Sequence, residues 1–268
     1  MYHGWPTLSL LQNGEMVLAW SGGREGHVCP FGQVHYMKSR DGGEHWCWPR
    51  VILDSGLDDR DAGVLETRNG TLLVTTFSSL AYEPIFRRAL ASGDWESKRI
   101  RRWTAAHNRL ESEARERELG QWMIRSEDDG KSWRWLSEIP ARDGDDPRNY
   151  HELHAVEMPD RRIVVHIRNH NPAHAQETLQ CESPDGGRSW TKPRSIGVWG
   201  LPSHLLGLSA GRVLMTYGYR RPPFGNQIRI SENGRKWSAP KTISDDGASV
   251  DLGYLSTVQL KDGTFVTV

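Results

Sequence analysis

Residues 39–46 read Ser39-Arg40-Asp41-Gly42-Gly43-Glu44-His45-Trp46, and the same order of serine, aspartate, glycine and tryptophan returns at 126–133 and 183–190. A shorter variant at 231–237 has Asn233 in place of the aspartate. Aspartate can accept hydrogen bonds from the backbone of its own turn, glycine supplies a positive φ, and tryptophan buries a large apolar area. The three repeats therefore predict three copies of one hairpin turn, with their tryptophans buried at equivalent positions.

A second kind of turn alternates with the first along the chain. Its members are turn residues between two apolar segments: Asn13-Gly14, Asn69-Gly70, Asp160, Gly211 and Asp262-Gly263. Asparagine–glycine and aspartate–glycine pairs in this setting are the strongest short signals for a β-hairpin. One hairpin of each kind makes four antiparallel strands, which is the size of one β-propeller blade.

The alternation divides the chain into blades of similar length. It predicts an all-β domain over 1–268, with blades at the following ranges: 2–57, 58–140, 150–197 and 200–247. A fifth blade begins near Val250 and stops after two strands. Since a propeller does not leave an inner strand with an exposed edge, we expect the C-terminal part of the propeller to lie outside this chain.

Residues 81–120 form an insertion in blade two. The segment from Trp103 to Gly120 is rich in strong helix formers and ends in glycine, which favours a helix that stops there. Its apolar positions are sparse, so the sequence predicts a partly helical insertion that is mostly solvated.

Composition excludes several classes of protein. Lysine plus arginine total 34 and aspartate plus glutamate total 34, so there is no basic excess of the kind that general nucleic-acid binding needs. No run of 18 apolar residues is present, so no membrane span is expected. The 3 cysteines do not suggest a disulfide framework. No signal peptide is visible, but a chain that lacks its natural N-terminal residues would look the same, so the compartment stays open.

The repeats and their spacing resemble those of the sialidase (neuraminidase) superfamily, whose aspartate-containing turns are called Asp boxes or BNR repeats. The resemblance covers essentially the whole chain and implies a six-bladed propeller. It also implies an exo-glycosidase whose site has a tyrosine nucleophile with a glutamate beside it, an aspartate as acid and base, and three arginines that bind the carboxylate of the substrate.

The tyrosine and the glutamate of that family have counterparts here. Tyr254 stands just before the last hairpin, as the nucleophile of the family does. Glu152, in Tyr150-His151-Glu152-Leu153-His154, resembles the glutamate that accompanies it. A carboxylate beside a phenol can take its proton, and a neutral nucleophile avoids repulsion by the carboxylate of an acidic sugar.

Candidates for the arginines follow from the same comparison. Arg24 comes after the first hairpin, Arg168 follows the strand Ile163–Ile167, and Arg220 lies two or three residues from the expected place. Guanidinium groups match a carboxylate with two parallel hydrogen bonds, so converging arginines suit an acidic substrate. The first arginine of the family is expected near Gly4-Trp5-Pro6, where this sequence has none.

The acid and base of the family is also missing a few residues after Arg24, where His27 stands. Imidazole can transfer protons near neutral pH, so His27 is one replacement. The run Asp58-Asp59-Arg60-Asp61 offers others: Asp59 and Asp61 for proton transfer, with Arg60 as a further substrate-binding residue. The same run would also suit a structural salt bridge or a turn cap.

Five histidines invite a comparison with metal sites: His151, His154, His166, His170 and His174. On a strand His151 and His154 point to opposite faces, and no metal motif is matched. We therefore expect neither a metal ion nor another cofactor.

Three hypotheses follow, each with a glycan as the partner. The first is a retaining sialidase-like hydrolase that removes a terminal acidic sugar. The second is a propeller lyase or glycosidase for glycans that contain uronic acid, using His27, Tyr254 and the arginines. The third is a glycan-binding propeller without catalysis, against which the pairing of Tyr254 with Glu152 speaks.

Overall fold

The computed structural model describes residues 2–268, whose strands form antiparallel sheets in which neighbouring strands are consecutive in the sequence. The chain divides into two compact units, Met1–Glu138 and Ile139–Val268. Each unit contains two four-stranded sheets in simple up-and-down order, apart from the last residue of β8, which falls just past the division. The second unit also contains a two-stranded hairpin.

The first unit begins with a sheet of four strands: β1 (Tyr2–Leu10), β2 (Met16–Arg24), β3 (Gln33–Ser39) and β4 (Arg50–Leu53). Its second sheet consists of β5 (Asp58–Glu66), β6 (Leu72–Ser79), β7 (Gly120–Ser126) and β8 (Arg134–Ile139). Three helices connect β6 to β7: α1 (Glu83–Ser92), α2 (Ser97–His107) and α3 (Ser112–Arg117).

The second unit continues with β9 (Tyr150–Glu157), β10 (Ile163–Asn169), β11 (Thr178–Ser183) and β12 (Arg194–Ser195). The next sheet contains β13 (Ser203–Gly207), β14 (Val213–Tyr219), β15 (Gly225–Ser231) and β16 (Lys241–Ser244). The hairpin pairs β17 (Thr257–Gln259) with β18 (Phe265–Thr267). The four sheets are the blades that the alternating turns predicted.

The described residues form four blades and one hairpin, as the alternating turns predicted, and so contain only part of the six blades that the resemblance implies. Three of the four sheets span about 40 to 50 residues each, and the second spans more because it contains the three helices. The four sheets and the hairpin together therefore extend as far as β18 at Phe265–Thr267.

The three aspartate-containing turns share one pattern of hydrogen bonds. In the first, Ser39 Oγ donates to Asp41 Oδ1 at 2.9 Å and accepts from Gly43 N at 2.9 Å, while His45 N donates to Asp41 Oδ1 at 2.9 Å. The turns at 126–133 and 183–190 repeat these bonds at 2.8–2.9 Å. Each turn is therefore fixed by its own serine and aspartate.

The tryptophans of these turns are half-buried rather than buried. Trp46 Nε1 donates to Gly43 O at 3.0 Å, and Trp133 Nε1 donates to Gly130 O at 3.1 Å. These bonds hold the ring against its own turn at the end of a strand, where only part of it is covered.

The apolar core of each unit comes from the alternating faces of its strands. In the first unit it includes Val17, Val34 and Val74, and in the second it includes Val164, Leu205 and Met215, all at most 3 % exposed. Along β5 and β6 nearly every residue is buried, because both faces are covered.

The helical insertion is less solvated than its sparse apolar pattern suggested. Trp103 is only 1 % exposed and packs with Tyr82 and Phe86 of the insertion and with Cys29 of the segment after β2. Aromatic residues at irregular spacing thus give the insertion a small core of its own. In the described residues no helix is both long and apolar enough to cross a membrane.

Candidate functional site

A bulge in the third blade directs Glu152 to its partners. In the pairing of β9 with β10, Leu153 lies opposite Ile167 and His151 lies opposite Arg168, so Glu152 is the extra residue. A bulge re-aims the side chains beside it, and here it lets the carboxylate of Glu152 meet the guanidinium of Arg168 across the strand pair.

Tyr254, Glu152 and Arg168 form a closed triangle of contacts. Tyr254 Oη donates to Glu152 Oε1 at 2.5 Å. Arg168 Nη1 donates to the same carboxylate oxygen at 2.9 Å and to Tyr254 Oη at 3.2 Å. Tyr254 is 45 % exposed, whereas the side chains of Glu152 and Arg168 are 13 % and 14 % exposed. An accessible phenol thus rests on a mostly buried ion pair.

The hydrogen bonds of this triangle use only one oxygen of the Glu152 carboxylate. Its Oε2 is buried and has no hydrogen-bond partner among the described residues. A buried carboxylate oxygen without a donor is costly, by about 1–3 kcal/mol or more for a charged group. The phenol proton faces Oε1, and Oε2 leaves the carboxylate with unused acceptor capacity.

Two histidines lie beside the triangle. Arg168 Nε donates to His170 Nε2 at 2.6 Å, and the rings of His170 and His151 are 4.7 Å apart. Burial, with the positive charge of Arg168, lowers the pKa of His170 to about 4, so this imidazole is neutral at pH 7.

Donor atoms of His151, Glu152 and His170 come within 4.8 Å of one another, which is close enough for them to approach a metal ion. Arg168 already donates to two of these residues and supplies the positive charge that a cation would bring. His154 is not part of this group, because it stacks on His204 and accepts from Leu205 N at 3.2 Å.

Arg220 holds the segment that carries Tyr254. Its Nε donates to Leu201 O at 2.8 Å, its Nη1 to Val250 O at 2.6 Å and its Nη2 to Leu252 O at 3.1 Å. Burial, followed by the charge of Arg168, lowers the pKa of Arg220, which reflects the closeness of the two guanidiniums. Since 250–254 has no regular secondary structure, these bonds fix the approach of the phenol to Glu152.

The first unit contains the other candidates, around a buried ion pair. Arg24 Nη1 lies 2.7 Å from Asp58 Oδ1 and its Nη2 donates to Asp58 Oδ2 at 3.0 Å, with both side chains fully buried. The three guanidinium nitrogens also donate to Ser21 Oγ and to the backbone carbonyls of 26, 27 and 59. Arg24 is thus saturated by acceptors of the protein itself.

Asp59 is completely buried. It accepts from Ser55 N at 2.8 Å, from Ser55 Oγ at 2.7 Å and from Ser78 Oγ at 2.7 Å. Burial raises the pKa of Asp59 to about 7, against the opposing effect of these bonds. This geometry gives it a structural role in holding the start of the second blade and no surface on which a substrate could rest.

Asp61 and Arg60 lie at a second bulge, between Arg60 and Gly63 on β5. Asp61 is 6 % exposed, has a positive φ of 47°, and its Oδ2 is 3.9 Å from Arg60 Nε. Arg60 is 8 % exposed and its guanidinium lies 4.7 Å from the ring of Trp5. A backbone held in the left-handed region is a strained feature of the kind found near functional sites.

An aromatic group occupies the place where the first arginine of the family was expected. Trp5, with φ of 53°, lies against the guanidiniums of Arg60 and Arg24 and 5.0 Å from the ring of His27. His27 is exposed, and Tyr2 Oη is 3.4 Å from its Nδ1. Position 4 is glycine, so no guanidinium replaces the missing one there.

The structure thus brings together four of the sequence candidates in the second unit: Glu152, Arg168, Arg220 and Tyr254. The other five, Arg24, His27, Asp59, Arg60 and Asp61, belong to the first unit. Sequence reasoning missed His170, the partner role of Asp58 and the stacking of Trp5. The clustering of histidines and the acidic run were their only signals.

A model of the BNR repeat-like domain matches residues 3–267, and the chain belongs to this family, within the sialidase-like BNR β-propeller superfamily. The resemblance inferred from the repeated turns is confirmed. No protein of curated function is significantly similar in sequence.

Solved structures share the fold at low sequence identity. The Hadza microbial sialidase Hz136 is 16 % identical with a TM-score of 0.66, over 100 % of this chain and 52 % of that one. The NanB sialidase from Streptococcus pneumoniae is 13 % identical with a TM-score of 0.68, over 99 % and 56 %. An α-L-arabinofuranosidase from Fusarium graminearum is 16 % identical with a TM-score of 0.67, over 99 % and 74 %. This chain therefore spans about half the length of those two sialidases.

Proposed function

We propose that this protein is a retaining exo-glycosidase of the sialidase type, which removes a terminal acidic sugar from a glycan. The contact of Tyr254 Oη with Glu152 Oε1 at 2.5 Å carries the proposal. A free phenol titrates near pH 10 and is a poor nucleophile at neutral pH without a base beside it. A carboxylate within 2.6–3.2 Å, or slightly closer, is the group that can activate it.

In the proposed first step the oxygen of Tyr254 attacks the anomeric carbon, and its proton passes to Glu152. The bond from that carbon to the leaving oxygen breaks, and the leaving oxygen receives a proton from an acid. Water then attacks the anomeric carbon of the tyrosyl–sugar intermediate and gives its proton to the conjugate base of that acid, while the bond from the carbon to the Tyr254 oxygen breaks and Glu152 returns a proton to the phenolate. Two displacements at one carbon retain its configuration.

Arg168 and Arg220 would bind the carboxylate of the sugar. Nη2 of Arg168 donates no hydrogen bond among the described residues, and each Nη of Arg220 uses one of its two hydrogens. Arg24 has its donors satisfied by Asp58 and backbone carbonyls, so we assign it to the structure of the first unit.

Within the first unit, His27 is the candidate that best suits proton transfer. Of the three candidates in the first unit it is the exposed one, while Asp59 and Asp61 are buried. Imidazole has an ordinary pKa near neutrality, which suits a general acid at physiological pH.

The test is Tyr254→Phe, assayed with a fluorogenic sialoside on the full-length protein. Turnover should fall by at least about 10³-fold, because the phenyl ring has no nucleophilic oxygen. Binding of the sugar, measured by calorimetry, should change little, because it depends on the arginines. Tyr219→Phe, a change in β14 of the same unit, is the matched control and should keep full activity.

Glu152→Gln should slow turnover similarly, and the double variant should be little worse than either single one, as for residues that act as a unit. A product that absorbs in the ultraviolet would instead identify a lyase. Full activity of Tyr254→Phe would exclude the retaining mechanism, and sugar binding without turnover by the unaltered protein would identify a non-catalytic propeller.

A further inference from the structure

A cavity of about 330 Å³ lies on the second blade, outside both groups of residues discussed above. It is lined by side chains from the end of the insertion and from β7 and β8: Arg117, Glu118, Trp122, Trp135, Leu136 and Glu138. Small-molecule sites begin at about 300 Å³ and combine aromatic walls with a few polar groups. The size and lining of this cavity fit one monosaccharide unit.

Two tryptophans form a right-angled corner in the cavity. The ring centroids of Trp122 and Trp135 are 4.6 Å apart and the ring planes are inclined by 81°. Trp135 is 43 % exposed, so part of its ring is accessible from the cavity side or from solvent. The indole rings of this corner offer flat apolar faces to a ligand that enters the cavity.

Gly120 lies beside two of the side chains that line the cavity. A Cβ at this position would lie 3.1 Å from Glu138 Oε1 and 3.2 Å from Trp122 Cζ2, so any side chain would press on both. Its φ of 156° also lies in the range that favours glycine. The smallest residue thus stands where the carboxylate and the indole come together.

The polar lining is acidic overall. Glu118 and Glu138 oppose a single cation, Arg117, whose Nη2 is 3.6 Å from Glu118 Oε1. Partial burial raises the pKa of Glu138. Nε1 of Trp122 is buried and has no acceptor among the described residues.

We propose that this cavity is a second carbohydrate site, which binds a neutral hexose unit of a glycan. The C–H face of a pyranose ring would pack on an indole face, and its hydroxyls would donate to Glu118 and Glu138 and accept from Arg117. An acidic sugar is disfavoured, because its carboxylate would face two others. The site would thus bind an inner, uncharged part of a chain whose acidic end is recognised elsewhere.

The experiment is an NMR titration of the indole N–H signals of the 12 tryptophans. The probes are the methyl glycosides of galactose, glucose and mannose, each paired with its uronate, so that the members of a pair differ only in charge. The signals of Trp122 and Trp135, assigned with Trp→Phe variants, should shift with at least one neutral hexoside. The Kd should be millimolar, as is usual for a ligand with few atoms, and at least 5-fold higher for the matching uronate.

Variants distinguish binding in this cavity from non-specific binding of sugars to exposed tryptophans. Trp135→Ala should abolish the shift of Trp122, whereas Trp48→Ala, which removes a tryptophan that is 90 % exposed, should leave it intact. Glu138→Gln keeps the shape of the side chain and should reduce the preference for the neutral sugar over the uronate at least 3-fold. No shift with any hexoside at 50 mM, tighter binding of a uronate, or an equal shift in Trp135→Ala would each overturn the proposal. The titration involves no turnover, so its result is independent of the hydrolase assay.

Discussion

The arginines of this protein differ in how many of their N–H groups are already in use. A guanidinium has five N–H donors, and those of Arg24 are directed at Asp58, Ser21 and backbone carbonyls. Arg168 keeps Nη2 free while it aligns Glu152 and Tyr254. Residues that look interchangeable in the sequence are thus divided into one that supports the fold and one that can meet a ligand.

Arg220 both supports the segment before Tyr254 and is a proposed substrate-binding residue. A substitution can show which of these two roles dominates. Arg220→Gln removes the bonds to Val250 O and Leu252 O that fix the segment before Tyr254. We expect kcat to fall by about 10²-fold, because a displacement of about 1 Å at a reacting atom has an effect of that size. KM should change less than 5-fold if positioning dominates.

The kinetic measurement is a comparison of kcat and KM between Arg220→Gln and the unaltered protein. A large rise in KM with unchanged kcat would show instead that Arg220 acts mainly by binding the substrate. Arg221→Gln is the control: it changes the neighbouring arginine, whose guanidinium lies over the ring of Trp199, and should affect neither constant.

Much of the second-unit site could be predicted from the sequence. The resemblance to the sialidase superfamily indicated Glu152, Arg168 and Tyr254, and the structure places these three in contact. The pairing of Arg24 with Asp58 could not be predicted, since it joins the end of one blade to the start of the next. Acidic residues that offset a buried arginine look the same in a sequence as acidic residues that transfer protons.

At the scale of elements, the aspartate-containing turns close their hairpins with their own side chains. Hydrogen bonding from Ser132 lowers the pKa of Asp128, and hydrogen bonding from His45 N lowers the pKa of Asp41 to about 2. These carboxylates therefore stay ionised over the physiological range and keep accepting from the turn. Any contribution to stability is present above their ordinary pKa and lost as the pH falls towards 2.

The serine of such a turn should matter more than its exposure suggests. In the second turn Ser126 is 1 % exposed and its Oγ accepts from Gly130 N at 2.8 Å. Ser126→Ala should lower the free energy of unfolding by about 1–3 kcal/mol, because a buried N–H loses its acceptor. Urea denaturation measures this change. Ser132→Ala, at an exposed position of the same turn, should cost clearly less, and an equal loss would contradict the assignment.

The insertion shows where local patterns fail. Helix α2 begins at Ser97, six residues before the predicted start, and a break after His107 separates it from α3. The periodicity is weak because burial is supplied by a few aromatic residues such as Trp103, and not by a continuous apolar stripe. Packing on the segment after β2, where Glu25 Oε2 accepts from Trp103 Nε1 at 3.3 Å, is a tertiary effect that no window of sequence contains.

For the molecule as a whole, the alternation of two turn types was enough to predict four antiparallel sheets with their limits. Predicted blades at 58–140 and 150–197 compare with observed sheets over 58–139 and 150–195. The total of six blades came from the resemblance and not from repeats in this chain, and the described residues contain four. Composition is similarly uninformative about the site, because a net charge of zero does not show which arginines and carboxylates form buried ion pairs.

Those buried charges should make the stability of the first unit depend on pH, and Asp59 is where the dependence should be clearest. Its folded pKa of about 7 exceeds the value near 4 of an unfolded aspartate, so between these limits the folded state binds more protons than the unfolded state. Stability from this group is therefore complete below pH 4 and is lost as the pH rises through 7, by on the order of 4 kcal/mol at most.

Asp59→Asn removes this titration, while the hydroxyls of Ser55 and Ser78 can rotate to donate to or accept from the amide. The variant should accordingly gain stability over the unaltered protein between pH 5 and pH 8. Urea denaturation at pH 5, 6, 7 and 8 gives the difference, and a difference that stays constant over this range would show that Asp59 has an ordinary pKa in the folded protein.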